Sequence, residues 1–176
     1  MQKPIILVAN GDIADQTWLK SVLLRGPMAI IGVDGGANYI LELGVIPDIV
    51  LGDLDSMSSE HKRLLEQNWV NIFQFDPEKD ETDLELALLY VAENQQWDGA
   101  MVEVYGAHGG RFDHEIANLM LLTHPALLER DIRLKAPHQT SFLITDKAEV
   151  NGRAGDTVSL IPVSYTHLTL PTILLV

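Results

Sequence analysis

Asp48-Ile49-Val50-Leu51-Gly52-Asp53-Leu54-Asp55-Ser56-Met57 is the stretch from which the rest of the chain can be read. Ile49 to Gly52 is a short apolar run with the pattern of a buried strand. Asp53 and Asp55 leave its C-terminal end one residue apart. A hard divalent cation such as Mg²⁺ takes oxygen ligands and commonly rides on one or two carboxylates together with substrate phosphates. The pair therefore marks a candidate metal site on a strand-to-helix connection. The fold then turns on whether the other connections reach the same edge of a sheet.

Working outward, the pattern alternates. Pro4 to Ala9 and Met28 to Val33 are continuous apolar runs, as expected of strands covered on both faces. Ala14 to Leu24 reads as a helix with Trp18, Leu19, Val22 and Leu23 inward, stopped by Gly26-Pro27. Asp34-Gly35-Gly36-Ala37-Asn38 opens a second helix that ends at Gly44, and Ser58 or Ser59 caps a third running to about Asn68. Val70 to Phe75 alternates and is expected as a fourth strand. Thr82-Asp83-Leu84-Glu85 fits a capping box ahead of Leu84, Ala87, Leu88 and Val91, which share one helix face. Capping alone accounts for Thr82 and Glu85; it accounts less well for Asp83 beside Asp80 and Glu81. Ala100 to Tyr105 is a fifth strand. It is followed by Gly106-Ala107-His108-Gly109-Gly110-Arg111-Phe112-Asp113-His114 and a helix opening at Ile116. Three glycines, an Arg and an Asp suit a loop around a charged ligand, and the Arg fork suits phosphate oxygens; an Asp113 N-cap is the bland alternative. Ile132 to Lys135 and Thr140 to Thr145 are two more strands. From Ala148 on, short β segments are expected, with turns at Asn151-Gly152, a hairpin signal, and Ala154-Gly155-Asp156.

Alternating strands and helices predict an α/β fold with a parallel, doubly wound sheet, whose ligands bind outside the carboxyl ends of the strands. Asp12, Asp34, the Asp53/Asp55 pair, Asp80 with Asp83, and Arg111 with Asp113 follow the first five strands in turn. All five connections thus bring an acid to one edge. Crowded carboxylates need a counter-charge, and Mg²⁺ with a nucleotide polyphosphate supplies it. The sequence contains neither a G-x-G-x-x-G fingerprint nor a G-x-x-x-x-G-K-[ST] loop. His61, His124, His138 and His167 lack ligand spacing and read as surface residues; His108 and His114 flank the glycine-rich loop.

The bulk properties set limits. With 176 residues the chain can hold one core and part of a second module. A formal net charge of −13 argues against a nucleic-acid partner, which calls for a basic face. The six acids and one Lys between Asp76 and Glu85 concentrate that charge. No apolar run spans a bilayer and no basic leader opens the chain, so neither a membrane partner nor a signal peptide is expected. The lack of cysteine excludes disulfides and thiolate metal sites and fits a cytoplasmic enzyme.

Three segments together resemble the thiamine pyrophosphokinase (thiamine diphosphokinase) family. They are D-G-G-A-N at Asp34 with P-D-I-V-L-G-D-L-D-S-M at Pro47, K-D-E-T-D-L-E-L-A-L at Lys79, and G-A-H-G-G-R-F-D-H at Gly106 with Asn118. The resemblance covers about Ile5 to Thr145. It implies a Rossmann-like catalytic domain (residues 1–138), followed by a β-sandwich domain incomplete here (139–176), acting as a homodimer. It implies transfer of a pyrophosphoryl group from ATP to thiamine with release of AMP. By position, Asp53, Asp55 and Asp83 resemble the Mg²⁺ ligands. Thr82, Arg111 and Asp113 resemble nucleotide or phosphate contacts, as do Asn10, Gly11, Asp34 and Gly36; Asp53, Asp55, Asp83 and Asp113 make the implied catalytic set. The run from Val163 to Val176 has no acid, no Lys and no Arg and departs from the family, as a truncation or a foreign reading frame would. One alternative is therefore a nucleotide-binding but inactive fragment with an incomplete thiamine pocket. Another, from D-x-D alone, is a phosphohydrolase using Asp53 as nucleophile.

Overall fold

The computed structural model describes residues 3–55, 57–76 and 79–163. Ser56, Pro77, Glu78, His167 and the rest of 164–176 lie outside the described residues. By the density of their internal contacts, residues 1–145 and 146–176 form two units.

The first unit holds β1 (Ile5–Val8), α1 (Gln16–Leu23), β2 (Ala29–Val33), α2 (Gly36–Glu42), β3 (Ile49–Gly52), α3 (Ser59–Gln67), β4 (Asn71–Gln74), α4 (Asp83–Glu93), β5 (Val102–Tyr105), α5 (Phe112–Leu121), β6 (Ile132–Ala136) and β7 (Gln139–Phe142). The strands lie in the order β4-β3-β2-β1-β5-β6-β7. Every pairing from β4 across to β6 is parallel, and β7 runs antiparallel to β6. The chain moves outward from β1 to β4, then returns to place β5 on the other side of β1. The strand order thus reverses between β1 and β5, the position at which such sheets open a ligand crevice.

Successive strand residues point to opposite faces, and both faces are covered. Ile5, Leu7, Ile31, Leu51, Val102 and Val104 pack with Leu84, Ala87, Leu88 and Val91 of α4. Ile6, Val8, Ile30 and Tyr105 pack with Leu19, Val22 and Leu23 of α1. Val50 packs with Leu41 and Leu65 of α2 and α3. Each such aliphatic side chain contributes about 1.5–3 kcal/mol when fully buried, which explains why the strands read as unbroken apolar runs. The predicted caps are present. Thr82 Oγ1 accepts from the Glu85 N–H at 3.1 Å, and Ser58 Oγ from that of His61 at 3.1 Å. α1 starts at Gln16, two residues later than expected, and Asp15 caps it through the Trp18 N–H at 2.8 Å.

One expected strand takes an edge position, and two other expectations are corrected. The alternation of Val70 to Phe75 does build the fourth strand, and Asn71–Gln74 are all exposed because β4 is the sheet edge. Phe73 nevertheless packs against Tyr90 of α4 with ring centroids 4.9 Å apart and planes tilted by 46°. The helix after β5 begins at Phe112 rather than Ile116, with Arg111 at the cap position, so Asp113 lies in its first turn instead of capping it. In the second unit no strand occurs among the described residues, and Asn151-Gly152 makes no hairpin. The turn there runs from Arg153 to Asp156, whose carboxylate accepts from the Arg153 N–H at 2.7 Å. A two-stranded hairpin is marginal without a third strand or a helix to pack on.

Candidate active site

Parallel pairing of β1 to β3 and of β5 carries the connections after these strands to one edge of the sheet. Asp34 follows β2, and Asp53 with Asp55 follows β3. Because β2 and β3 are neighbours, these three acids meet: each can offer a carboxylate oxygen within 4.8 Å of the others. Asp34 and Asp53 are half-buried and Asp55 is exposed.

Local structure explains how the β3 loop aims its acids outward. Leu54 has φ +60° and is buried, as is Met57. Both belong to the cluster of Ala37, Leu41, Val50 and Leu65. A bulky residue with positive φ is costly, and such strain persists only where surrounding structure fixes it. Here the apolar anchor of Leu54 between the two acids fixes it, leaving Asp53 and Asp55 on the polar side. Asp53 Oδ1 accepts from the Asp55 N–H at 3.0 Å, and its carbonyl from Gln74 Nε2 at 3.0 Å. Asp34 also has positive φ, +48°; its N–H bonds to Leu51 O at 2.7 Å, which ties the two loops together. His61 Nδ1, at 2.8 Å from Asn38 Oδ1, links α3 to α2 behind them.

The remaining sequence candidates have the following places. Asn10 donates from Nδ2 to Asp34 Oδ2 at 3.3 Å, so its amide orients an acid of the trio. The Gly11 N–H donates to Gly106 O at 2.9 Å, closing the base of the β1/β5 crevice. Gly36 lies against the backbone of Val8, a steric reason for glycine that involves no ligand. Thr82 caps α4. Asp83 is not in the trio; its Oδ1 pairs with Lys79 Nζ at 2.6 Å, and Lys79 sits over the Phe75 ring. Arg111 and Asp113 are exposed and form a two-point pair, Nε to Oδ1 at 3.1 Å and Nη2 to Oδ2.

Sequence reading placed Asp34 among nucleotide contacts and did not group it with Asp53 and Asp55, since nothing in one dimension shows that β2 and β3 adjoin. It likewise missed the Lys79–Asp83 pair, for which four-residue spacing ahead of a helix was the available signal.

The hydrogen bonds from Arg111 hold the Asp113 carboxyl below the usual range, at about 2. A lowered value means that the pair is fully formed above the ordinary carboxylate range and is lost only as pH falls through about 2. A ¹³C titration of Asp113 should show that midpoint, and Arg111→Gln should return it toward 3.8. An unchanged midpoint in the variant would show that the pair does not exist in solution.

Three carboxylates of this spacing, two of them half-buried, form an all-oxygen donor set. That set fits Mg²⁺ or another hard cation and does not suit a soft metal.

A sequence model described as "Thiamin pyrophosphokinase, catalytic domain" matches residues 21–136. The chain is 36% identical over 104 residues to the thiamine pyrophosphokinase of Bacillus subtilis, covering 59% of this chain and 47% of that protein. It is 34% identical over 107 residues to thiamine pyrophosphokinase 1 of Arabidopsis thaliana, covering 51% and 40%. Among solved structures, the Bacillus subtilis enzyme superposes with a TM-score of 0.61 at 33% identity, over 77% of this chain and 61% of that one. A thiamin pyrophosphokinase family protein of Enterococcus faecalis gives 0.62 at 29%, over 78% and 63%. The chain thus spans about half the length of the curated relatives it matches. With the family model covering β2 to β6 and both loops of the acidic trio, the chain belongs to the thiamin pyrophosphokinase catalytic-domain family.

Proposed function

We propose that this protein is an ATP-dependent thiamine diphosphokinase, which transfers the terminal pyrophosphoryl group of ATP to the hydroxyl of thiamine. The thiamine oxygen bonds to the β-phosphorus, the bond from that phosphorus to the α,β-bridging oxygen breaks, and AMP leaves. The hydroxyl proton passes to a carboxylate of the rim or to water. The observation that carries this reading is the convergence of Asp34, Asp53 and Asp55 within the segment matched by the family model.

Asp53 and Asp55 are the proposed Mg²⁺ ligands, with Asp34 completing the trio. Asp83, at the start of α4 on the same edge, stays in the proposed ligand set, with Lys79 as its counter-charge in this structure. When bound, the ion neutralises phosphate charge and orients the polyphosphate for in-line attack. The protein's own groups do the rest. Asn10 fixes the orientation of Asp34. Arg111 presents a planar fork to phosphate oxygens, aligned by Asp113. Gly11 and the α4 cap at Thr82 line the nucleotide's approach. Positioning two substrates in this way removes the entropic cost of a bimolecular encounter.

Residues 1–138 are the proposed catalytic domain and 139–176 the opening of a β-rich thiamine-binding domain. A homodimer in the cytoplasm is the proposed setting. No described helix is long and apolar enough to cross a membrane. The decisive assay measures AMP formed from Mg·ATP with and without thiamine. Thiamine-dependent AMP is the expected result. ATP binding without thiamine-dependent AMP would leave only a nucleotide-binding fragment.

A further inference from the structure

The loop between β5 and α5 carries a buried histidine with no role in the site described above. His108 is 7% exposed. Its Nδ1 lies 3.0 Å from Glu115 Oε1 in the first turn of α5. A carboxylate only accepts, so Nδ1 carries the proton. Nε2 is buried and has no hydrogen-bond partner among the described residues. One residue earlier, Ala107 O accepts from Asn118 Nδ2 at 2.9 Å. Glu115 and Asn118 are three residues apart, so they share a face of α5. That face therefore grips two successive loop residues.

Between His108 and Arg111 the loop carries no side chain, and Gly109 rests only by its backbone against Asp12. Gly109 and Gly110 have φ of +83° and +81°, a left-handed conformation that glycine adopts without steric cost, and they offer no side chain to anchor. Arg111 then stands at the cap position without a side-chain cap bond. The path from His108 to Arg111 is set by its two ends and by the contact of Gly109 with Asp12.

We infer that His108 is a positioning residue: bonded through Nδ1–H to Glu115, it fixes Gly109 and Gly110 and so sets where the Arg111–Asp113 pair stands. Its effect at phosphate oxygens rests on the proposed function; the clasp itself does not. An asparagine amide can place its nitrogen close to where Nδ1 stands, whereas a glutamine amide falls near Nε2. His108→Asn should therefore preserve the clasp, and His108→Gln should not.

The test uses the full chain. Backbone ¹⁵N order parameters at Gly109 and Gly110 are expected near 0.85 or just below in the wild type and in His108→Asn, and under about 0.6 in His108→Ala and His108→Gln. Glu115→Gln keeps the acceptor and should follow the wild type; Glu115→Ala should follow His108→Ala. Calorimetry with magnesium and a non-hydrolysable ATP analogue should show about tenfold weaker binding in the loosened variants, the size expected for losing a hydrogen bond to a charged group. A rigid loop in a folded His108→Ala protein would overturn the inference. So would rescue by glutamine and not asparagine, which would make Nε2 the working atom. If His108→Ala does not fold, Glu115→Ala gives the same readout from the half-exposed side of the bond. A wild type that bound no nucleotide would remove the proposed function, and the order parameters would still decide the clasp.

Discussion

Asp53→Asn is expected to lower thiamine-dependent AMP formation by about 10²–10³-fold, the range seen when a single electrostatic stabiliser is removed from an active site, while leaving the fold intact. Asparagine keeps the Oδ1 acceptor that receives the Asp55 N–H, so the loop retains its hydrogen bond and its Leu54 anchor. What disappears is one negative charge from three carboxylates whose oxygens come within 4.8 Å. Like charges at that distance repel by about 1 kcal/mol even at the dielectric of water. Without added metal, the variant should therefore melt at or slightly above the wild-type temperature. With millimolar Mg²⁺ the order should reverse, because an ion that binds only the folded chain stabilises it by mass action. Thermal melts with and without Mg²⁺, beside the AMP assay, read both effects. Unchanged turnover, or wild-type stabilisation by Mg²⁺, would remove Asp53 from the site. Asp34→Asn and Asp83→Asn extend the experiment. Loss of Mg²⁺ stabilisation in the first but not the second would place the ion on the trio alone.

The second large effect concerns the fold. Gly36 opens α2, and a Cβ added there would stand 1.9 Å from Val8 O and 2.6 Å from its carbonyl carbon. Those atoms belong to β1, which is paired on both sides by β2 and β5, so the obstacle is backbone held in the centre of the sheet. Gly36→Ala must displace α2, and with it Asp34, or break strand pairing. A cost of about 3 kcal/mol or more is expected, at the upper end for overpacking, equivalent to roughly 6–12 °C in melting temperature for a chain of this size. Gly44→Ala is the control. Its φ of +75° strains alanine, but nothing lies within 4 Å of the added Cβ, so about 1–2 kcal/mol is expected. Equal melting temperatures for the two variants would show that the approach of α2 to β1 is not tight in solution.

Much of this was legible in one dimension. Strands with both faces covered must be apolar throughout, so Ile5–Val8, Ala29–Val33 and Ile49–Gly52 announce themselves. Caps are local chemistry, so Ser58 and Thr82 could be assigned from their own neighbours. The acids after successive strands gave the candidate edge once the sheet was read as parallel. Neighbours decided what one dimension left open. The alternation from Val70 to Phe75 gave β4 as a strand but not its place at the edge, and the glycine-rich loop concealed a helix already begun at Phe112.

The sequence alone determined most of the strands and helices up to β7 and that the connections after the parallel strands share one rim, because backbone periodicity and capping depend on residues a few positions apart. Tertiary structure decided which rim residues touch. Strand order made Asp34 the neighbour of Asp53 and Asp55, and the fold of the glycine-rich loop gave His108 to Glu115. Those choices rest on contacts between segments whose spacing along the chain carries no record of their distance in space.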